Sequence, residues 1–402
     1  MEKAVGAPIE LDSVFDDAEW MEFVESAPDA TPAHLIAWRD LIHGVFGYEP
    51  AYRVARRDGR ICGAMPAFVV ASALLGRHMI SVPFLNSGGI CAVDRDSRSA
   101  LLAESRRMLD AHRARHFEMR CAYPPPAGVG AREHKVRIVL DLPDTTDQLW
   151  ASLRSEVRNR VRRAEKCGLS VEFHSLDIDG FYRVFSDNMR DLGVPAHPRR
   201  FFEEVLQCFG AAFRPEDPAT PPSKGATPSP LGATPSPLRG GLGRGPDDLD
   251  RDSRKPVPSV PYVPCVDLVV VKDRSDTVGG AIVFSFRETV EVPWVSCSRP
   301  HFDKCPNNLL YWEILRRACE QGFRLFDFGR SSPNSGAAVF KMRWGARAEQ
   351  LYWHYILPEG AALPRETSSA NPRFRLASAL WKRVPRAVTN FLGPRLIAHL
   401  PG

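Results

Sequence analysis

The pattern of hydrophobic and polar positions after residue 145 predicts a regular succession of helices and strands. Apolar residues that recur every three or four positions indicate helices, whereas alternating or short β-branched runs indicate strands. The predicted elements are helices over 149–167, 179–191, 198–209, 307–320 and 337–343, and strands over 169–174, 265–272, 278–286, 290–297, 324–328 and 350–357. Three consecutive strands flanked by helices are typical of an α+β fold and not of a doubly wound parallel sheet.

The pattern before residue 145 partly repeats this order. The predicted elements are helices over 13–25, 33–46 and 97–115, and strands over 52–57, 61–70, 116–120 and 136–140. Asp58 and Gly59 form a turn signal between the first two strands, which favours a hairpin. We therefore predict two similar lobes with a cleft between them, the first over residues 1–145 and the second over residues 146–370.

A low-complexity segment over residues 214–264 interrupts the second lobe. It holds 13 of the 35 prolines, two tandem copies of GATPSPL and a glycine-rich run. Such a composition buries too little apolar surface to form a core, so we expect a disordered insert. A helical pattern precedes it and a strong strand pattern follows it. The insert is therefore expected in a surface loop, where added length costs little closure entropy.

Composition narrows the class of protein. The chain of 402 residues is 44% hydrophobic and 25% charged, which suits a globular protein of two or three domains. Its net charge of +5 permits phosphate-bearing partners without requiring nucleic acid. The nine cysteines form no CxxC pair and the histidines do not cluster, so no disulfide framework or metal site is expected. We find no signal peptide or membrane span and expect a cytoplasmic protein.

The C-terminal tail over residues 371–402 differs from the rest of the chain. It carries basic residues among Leu, Trp and Phe. One interpretation is a pair of basic amphipathic helices in peripheral contact with the inner membrane. The other is a helical tail docked on the protein's own core.

The predicted helix over 149–167 carries a stripe of positive charge beside an apolar face. The apolar face comprises Leu153, Val157, Val161 and Ala164, and the cationic stripe comprises Arg154, Arg158, Arg162 and Lys166. Like charges four residues apart repel each other on a helix. A phosphate-bearing ligand along the stripe would offset that repulsion. The alternative is a basic face that contacts only solvent.

A second candidate site lies in residues 307–345. A helix that begins at Asn307 leads into a strand carrying Asp327, and that strand is expected to break into a loop at Gly329. Asp327 either acts chemically or accepts hydrogen bonds from backbone amides of the loop. Lys341 stands among bulky apolar residues, where it either extends to solvent or points into a cleft as an oxyanion or phosphate ligand.

Several segments together resemble the FemAB-like transferases of the GNAT superfamily, and most closely the FemAB-related proteins of exosortase (PEP-CTERM) systems. The matching segments are VRNRVRRAEK at 157–166, NMRDLG at 188–193, RRFF at 199–202, NNLLYW at 307–312, FDFGRS at 326–331 and FK at 340–341. The resemblance extends from about residue 81 to the end, without the insert, which is not a family feature. A pyrophosphate-binding loop of the CoA-dependent branch is not evident.

This resemblance implies tandem GNAT-like lobes, each a mixed, mostly antiparallel sheet flanked by helices. It implies transfer of an acyl or aminoacyl group to an amine of a cell-envelope or exopolysaccharide precursor. The donor would be acyl-CoA or aminoacyl-tRNA, and the acceptor would carry phosphate. The alternative is a non-catalytic factor for envelope polysaccharide assembly. By this resemblance the predicted catalytic residues are Lys341 and Asp327, and the predicted substrate-binding residues are Arg158, Asn159, Arg162, Asn188, Asn307, Asn308, Tyr311, Arg330 and Ser331.

Overall fold

The computed structural model describes residues 7–72, 76–210, 265–364 and 372–400. In its first part, the helices are α1 (Asp17–Ser26), α2 (Ala37–Phe46) and α3 (Arg95–Ala111). The strands are β1 (Glu10–Asp12), β2 (Glu49–Pro50), β3 (Arg53–Arg57), β4 (Arg60–Met65), β5 (Phe68–Ser72), β6 (Gly76–Ile80), β7 (Cys91–Ala92), β8 (Phe117–Cys121) and β9 (Gly130–Asp141). The predicted insert over 214–264 lies outside the described residues.

The second part begins after β9. Its helices are α4 (Thr146–Ser152), α5 (Ser155–Lys166), α6 (Ile178–Leu192), α7 (Arg199–Phe209), α8 (Pro306–Glu320), α9 (Gly336–Met342), α10 (Pro372–Trp381) and α11 (Arg386–Ile397). Its strands are β10 (Leu169–Glu172), β11 (Cys265–Asp273), β12 (Asp276–Phe286), β13 (Thr289–Cys297), β14 (Leu325–Ser331) and β15 (Arg347–Ile356). The predicted α+β class is confirmed.

Most strands of the described residues belong to one mixed sheet. Its eleven strands follow the order β10-β11-β12-β13-β14-β9-β15-β8-β6-β5-β2, and a smaller sheet has the order β1-β3-β4-β7. The large sheet joins the two lobes by an exchange of their last strands. Strand β9 from the first lobe pairs with β14, and β15 from the second lobe pairs with β8. Strands β9 and β15 also pair with each other, antiparallel, at the centre.

The strand order around this centre reads alike from both sides. In the second lobe, β13 and β14 form a parallel pair next to β9. In the first lobe, β6 and β8 form a parallel pair next to β15. The two parallel pairs therefore occupy equivalent positions about an approximate twofold relationship, which matches the prediction of tandem, similar lobes.

Apolar side chains pack on both faces of the large sheet. One face is covered by α4, α5 and α8, whose buried residues join those of β11 to β14 in one core. The other face is covered by α1, α2, α6 and α7, where aromatic residues such as Trp38, Phe201 and Trp294 pack together. Side chains between the lobes therefore belong to the central strands β13, β14, β9 and β15.

Three predicted elements are wrong in detail. The strand predicted over 61–70 is two strands in different sheets, because Pro66 lacks the N–H needed to continue a central ladder. The helix predicted over 149–167 is divided at Leu153 and Arg154, whose extended backbone lets both Leu149 and Leu153 be buried. The helix predicted over 33–46 begins as a short 3-10 turn and becomes α-helical only at Ala37.

No helix of the described residues is both long and apolar enough to cross a membrane. The C-terminal helices α10 and α11 and the residues after them contact both lobes. Arg386 forms an ion pair with Asp187 of α6 at 3.0 Å, and Tyr48 Oη donates to the Ala398 carbonyl at 2.7 Å. One side of the tail is therefore docked on the core.

Candidate active site between the lobes

Two carboxylates lie side by side where the parallel pairing of β13 and β14 ends. Glu291 is directly opposite Asp327, and no pair beyond these two extends the β13–β14 ladder in the described residues. Residues directly opposite in adjacent strands point to the same face of a sheet. Phe326 and Phe328, on either side of Asp327, are buried in the core beneath α8. Asp327 therefore points to the opposite face of β14, away from α8.

The backbone beside Asp327 is shaped by a bulge at Gly329. The register of β14 against β9 shifts between Asp327 and Arg330, and Gly329 has a φ of 76°. A Cβ at position 329 would lie 2.8 Å from the Val292 carbonyl oxygen, so only glycine fits there. The strand predicted to break at Gly329 thus continues to Ser331 through this bulge.

Lys341 is held by the carbonyls of this bulge. Its Nζ donates to Gly329 O at 3.1 Å and to Arg330 O at 3.3 Å, and its side chain is only 7% exposed. The supporting helix α9 starts at Ser335, whose Oγ accepts the Ala338 N–H at 3.2 Å. Lys341 therefore does not extend to solvent. An ammonium has three N–H donors, so one remains for a ligand.

Asp327 has structural contacts of its own. It is 6% exposed, and its Oδ1 accepts the Gly329 N–H at 2.7 Å. Its Oδ2 is 3.9 Å from Arg137 Nη1, while Arg137 Nη2 pairs with Glu349 at 2.5 Å. Accepting a hydrogen bond from a backbone amide of the loop is one of the two predicted roles of Asp327. This hydrogen bond helps to fix the bulge at Gly329.

The environment of the cluster moves the pKa values of its side chains toward neutral pH. Burial raises the pKa of Glu291 to about 7, with a further contribution from the charge of Asp327. Burial also raises the pKa of Asp327, although Arg137, the Gly329 N–H and Lys341 oppose that shift. Burial lowers the pKa of Lys341 to about 8, against the attraction of Asp327. Groups with such pKa values exchange protons readily near pH 7.

The first lobe contributes a contact to this cluster. Asn86, in the segment after β6, donates its Nδ2 hydrogen to Glu291 Oε1 at 2.9 Å. This hydrogen bond lowers the pKa of Glu291, against the larger effect of burial. The candidate site is therefore built from both lobes.

The equivalent position in the first lobe lacks the pair of carboxylates. In the parallel pair β6–β8, Ile80 is opposite Glu118, so an apolar residue stands where the second lobe has Glu291. Glu118 is already engaged by Arg120 at 3.0 Å and by Tyr355 Oη at 2.9 Å. The paired acids thus distinguish the second lobe from the first.

Two arginines flank one tryptophan near the centre of the sheet. The guanidinium carbon of Arg120 lies 4.4 Å from the ring centroid of Trp353, and that of Arg330 lies 5.4 Å away. Burial lowers the pKa of Arg330 to about 9, and the charge of Arg120 contributes. Within the part of the chain that the structure describes, Arg330 Nη1 and Ser331 Oγ are buried without hydrogen-bond partners. An anionic group placed beside Arg330 would satisfy its Nη1. Ser331 is opposite Val136 in the register, so its side chain lies on the other face of the sheet.

The basic stripe on α5 lies elsewhere. The helix begins at Ser155 with Arg154 as its N-cap, so the stripe predicted to start at Arg154 starts one turn later. Asn159 and Arg162 are exposed, Arg158 is partly exposed, and Arg162 lies 5.4 Å from the Trp150 ring. Nearby, Glu156 pairs with both Arg160 and Arg343, which joins α5 to the end of α9.

The remaining predicted ligands are placed in the supporting structure. Asn188 Nδ2 donates to Ser296 Oγ of β13 at 3.0 Å. Tyr311 is buried against Phe328 and Phe340, on the α8 face of the sheet, and burial raises its pKa. Because Asp327 points to the other face, the structure does not bring Tyr311 together with it.

The start of α8 also differs from prediction. Asn307 was expected to cap this helix, but Cys305 does so with a φ of 60°, and Pro306 is the first helical residue. Asn307 is partly exposed and Asn308 is buried. Proline suits the first helical position because that N–H has no partner within a helix.

Sequence patterns alone missed several members of the cluster. No sequence pattern singles out Glu291, Asn86, Arg137 or Glu349. The only sequence signal was an acidic residue between Val290 and Val292 in an otherwise apolar strand. Among the described residues, no group of His, Cys, Asp or Glu side chains is arranged to hold a metal ion.

Comparisons with known proteins agree with this architecture. Residues 265–342 match the acetyltransferase (GNAT) domain family. The crystal structure of FemX is similar over 87% of this chain and 97% of its own, with a TM-score of 0.57 and 14% identity. L-PGS from Bacillus licheniformis is similar over 95% of this chain and 100% of its own, with a TM-score of 0.50 and 12% identity. No curated protein matches the sequence. At these identities the two structures establish a shared fold.

Proposed function

We propose that this chain is an N-acyltransferase or aminoacyltransferase that moves an activated acyl group to an amine of a cell-envelope or exopolysaccharide precursor. The observation that carries the proposal is the cluster of the partly exposed Glu291 with the buried Asp327 and Lys341 at the end of a parallel strand pair. The match of residues 265–342 to the GNAT domain and the fold shared with FemX support it. The proposed association with exosortase systems rests on the resemblance of the sequence segments.

Glu291 is the best placed general base. Its pKa of about 7 allows it to accept a proton from the acceptor's ammonium group near neutral pH. Its Oε1 accepts a hydrogen bond from the Asn86 amide. Asp327 is bound to the Gly329 amide and close to Arg137. We therefore assign proton transfer to Glu291, and to Asp327 the positioning of the bulge and the raising of the pKa of Glu291.

Lys341 suits the stabilisation of an oxyanion. The free amine attacks the carbonyl carbon of the activated ester or thioester, and negative charge develops on the carbonyl oxygen. The remaining N–H of Lys341 donates to that oxygen, while Gly329 O and Arg330 O keep the ammonium in place. When the tetrahedral intermediate collapses, the bond to the leaving oxygen or sulfur breaks. The proton taken by Glu291 passes to the leaving oxygen or sulfur. The nitrogen loses its second proton to solvent, so the products are the neutral amide and the protonated leaving group, and Glu291 is again a carboxylate.

We propose that Arg330, of the predicted ligands Arg330 and Ser331, binds a phosphate of the acceptor, because it is on the same face of the sheet as Asp327. Its Nη1 is buried without a partner among the described residues. A buried, unsatisfied donor costs about 1–3 kcal/mol, which a bound phosphate would recover. The exposed Arg158 and Arg162 on α5 are the alternative phosphate ligands. They lie on the outer side of α5, where Arg162 is next to Trp150 of α4, so they would contact a more distant part of the acceptor.

The donor remains acyl-CoA or aminoacyl-tRNA in this proposal, acting as a substrate and not as a resident cofactor. The net charge of +5 suits either polyanionic donor. Both donors are cytoplasmic in the proposed setting, and the reaction would take place there.

A non-catalytic binding or assembly factor is the second candidate. It is favoured by the structural contacts of Lys341 and Asp327, since both fix the Gly329 bulge and would be needed without any chemistry. In this case the unpartnered Arg330 would still bind the polysaccharide precursor. The raised pKa of Glu291 would then have no catalytic role.

The deciding experiment is a donor screen with purified protein and mass-spectrometric detection of modified acceptors. Acetyl-CoA and aminoacyl-tRNA are offered with amine-bearing, phosphorylated sugar acceptors. Glu291→Gln is the matched control because it preserves the shape of the side chain but not its basicity. Product with the native protein and little with Glu291→Gln supports the enzyme. Acceptor binding without product from any donor supports the assembly factor.

A further inference from the structure

The C-terminal helices expose an unusual amount of apolar surface. Five of the thirteen large hydrophobic side chains exposed by the described residues lie on α10 and α11. They are Leu376, Leu380, Val388, Phe391 and Leu392. Leu376 is 63% and Phe391 is 61% exposed. Single exposed hydrophobic residues are ordinary on protein surfaces, but their concentration in one segment indicates a surface that another body covers.

The spacing of these residues gives each helix an apolar outer stripe. Leu376 and Leu380 are four residues apart on α10, and Val388, Phe391 and Leu392 are three and four apart on α11. Such spacings place side chains on one face of a helix. Trp381 at the end of α10 lies beside Gly393 of α11, since a Cβ at 393 would be 3.7 Å from the Trp381 ring. The two helices are thus neighbours.

The other side of the tail is firmly docked, so the exposed stripe is not a consequence of a detached segment. Thr389, Gly393 and Ile397 recur every four residues along α11 and are buried. At α10, a Cβ on Gly193 would lie 2.7 Å from the Ser378 carbonyl oxygen. The tail therefore has a core-facing side and a solvent-facing side. Docking on the protein's own core, which is one of the two interpretations of the tail sequence, explains only the core-facing side.

The charge of the tail identifies the kind of partner. Residues 371–402 contain six Arg or Lys residues and no Asp or Glu. Lys382 and Arg383 are exposed between the two apolar stripes, and Arg395 lies 4.0 Å from the Phe391 ring. Cationic groups next to Leu and Phe are the combination that binds an anionic lipid surface, with apolar side chains in the acyl boundary and bases at the headgroups.

We propose that the outer face of α10 and α11 binds the surface of an anionic phospholipid bilayer and holds the protein there peripherally. Leu192 at the end of α6 is also exposed, next to the Gly193 that contacts α10, and extends the same surface. This proposal is independent of the transfer reaction, because none of these residues belongs to the cluster around Glu291.

The test is co-sedimentation of the full chain with vesicles. One set of vesicles is phosphatidylcholine alone and the other is equal parts phosphatidylcholine and phosphatidylglycerol. We expect binding to the anionic vesicles to be at least about tenfold stronger and to weaken with added salt, since each basic residue near the surface contributes to attraction. Equal binding to both kinds of vesicle, or to neither, would overturn the proposal.

Two double variants separate the apolar and the electrostatic contributions. Leu380→Asp with Phe391→Asp removes the apolar contact, and Lys382→Glu with Arg383→Glu reverses the charge. Each should reduce binding to anionic vesicles by about tenfold or more. Leu176→Asp, at a residue that is 95% exposed on another element, and Arg106→Glu on α3 are the matched controls and should bind like the native protein.

All substituted side chains are exposed, so native melting temperatures are expected and confirm folding. If the two double variants bind anionic vesicles with the same affinity as the native protein, the proposal is contradicted, even though the chain binds lipid. Light scattering provides a further outcome. If the native chain self-associates through this face, the Leu380→Asp and Phe391→Asp variant becomes monomeric while vesicle binding is absent, and the occupant is a second copy and not a membrane.

Discussion

The side-chain amide of Asn86 donates a hydrogen bond to Glu291 Oε1 at 2.9 Å and thereby connects the first lobe to the paired carboxylates of the second. This contact gives the first lobe a direct influence on the proton affinity of the proposed base. A hydrogen bond to a carboxylate stabilises its charged form and lowers its pKa. The cluster is thus tuned by a residue more than two hundred positions away in sequence.

Replacement of Asn86 by Ala should shift the pH dependence of transfer. Without the amide donor, the pKa of Glu291 rises further above its present value of about 7. The ascending limb of the rate profile then moves to higher pH, by roughly half a unit to one unit. Ser87→Ala, at the adjacent position, is the control and should leave the limb in place. An unchanged profile for Asn86→Ala would remove Glu291 from the proposed role.

Glu291→Gln should abolish the ascending limb. If Glu291 is the base, the native protein should gain activity as Glu291 loses its proton near pH 7. Gln cannot accept the proton, so the rate should fall by about 100-fold or more and no longer rise through that range. Steady-state rates between pH 5 and 9 measure this. Native-like activity in the variant would assign the base elsewhere.

The same substitution should alter stability with a defined sign. The pKa of Glu291 is raised in the folded protein, so its contribution to stability is present below the unfolded pKa of 4.5 and is lost as pH rises through about 7. Gln carries no such titration. The unfolding free energy of Glu291→Gln relative to the native chain should therefore increase from pH 5 to pH 8 by on the order of 1–3 kcal/mol. Urea titrations at both pH values test this.

Lys341→Met should remove transfer while the protein remains folded. Methionine keeps much of the side-chain volume but cannot donate to an oxyanion, so a loss of about 100- to 1000-fold is expected. Two hydrogen bonds to Gly329 O and Arg330 O are lost too, and a modest decrease in melting temperature is expected. Circular dichroism verifies the fold. Arg343→Met, at the partly exposed residue that follows α9 and pairs with Glu156, serves as the control.

Arg330 on β14 and the pair Arg158 and Arg162 on α5 are the two proposed sites for the phosphate of the acceptor. Arg330→Gln should weaken binding of a phosphorylated acceptor by about tenfold or more, because a buried charged donor is lost. If α5 provides the site, Arg158→Glu with Arg162→Glu should have the larger effect. Calorimetric titration with and without the phosphate group compares them. Equal affinity of the α5 double variant and the native protein would make its stripe a surface that contacts only solvent.

Gly329→Ala should lower the stability of the fold by more than the cost of a positive φ alone. Gly329 and Gly345 both have positive φ values, of 76° and 86°. A Cβ at 345 meets open space, but at 329 it meets the Val292 carbonyl oxygen. Gly345→Ala therefore costs about 1 kcal/mol from the left-handed backbone, and Gly329→Ala costs more. It should also reduce activity by displacing the carbonyls that hold Lys341. Similar melting temperatures for both variants would argue against this.

The fold was most predictable where local signals agree. Helix α8 was expected over 307–320 and spans Pro306–Glu320, because Pro306 and Gly322 mark its ends and apolar residues fill its length. Strands β11 to β13 were predicted within two residues at each end. The predicted strand over 61–70 shows the limit, since Pro66 sends its two halves into different sheets.

The site was predictable only in part, because its members meet through strand pairing. Lys341 and Asp327 lie in one segment and could be singled out from their resemblance to a family. Glu291 becomes significant only once β13 is placed parallel to β14 in a register that sets it opposite Asp327. Register is a property of the assembled sheet and leaves little trace in a single strand. Asn86 depends on the packing of both lobes and has no local signature.

The exchange of β9 and β15 between the lobes has a mechanical consequence. Proteins with a cleft between domains commonly admit and release ligands by hinge bending. Here the lobes could separate only if the hydrogen bonds between the central antiparallel strands β9 and β15 were broken. We expect the predicted cleft between the lobes to keep a nearly constant width when ligands bind. Large acceptors would then be selected by the fixed spacing of its walls, and access would depend on movements of individual side chains and loops.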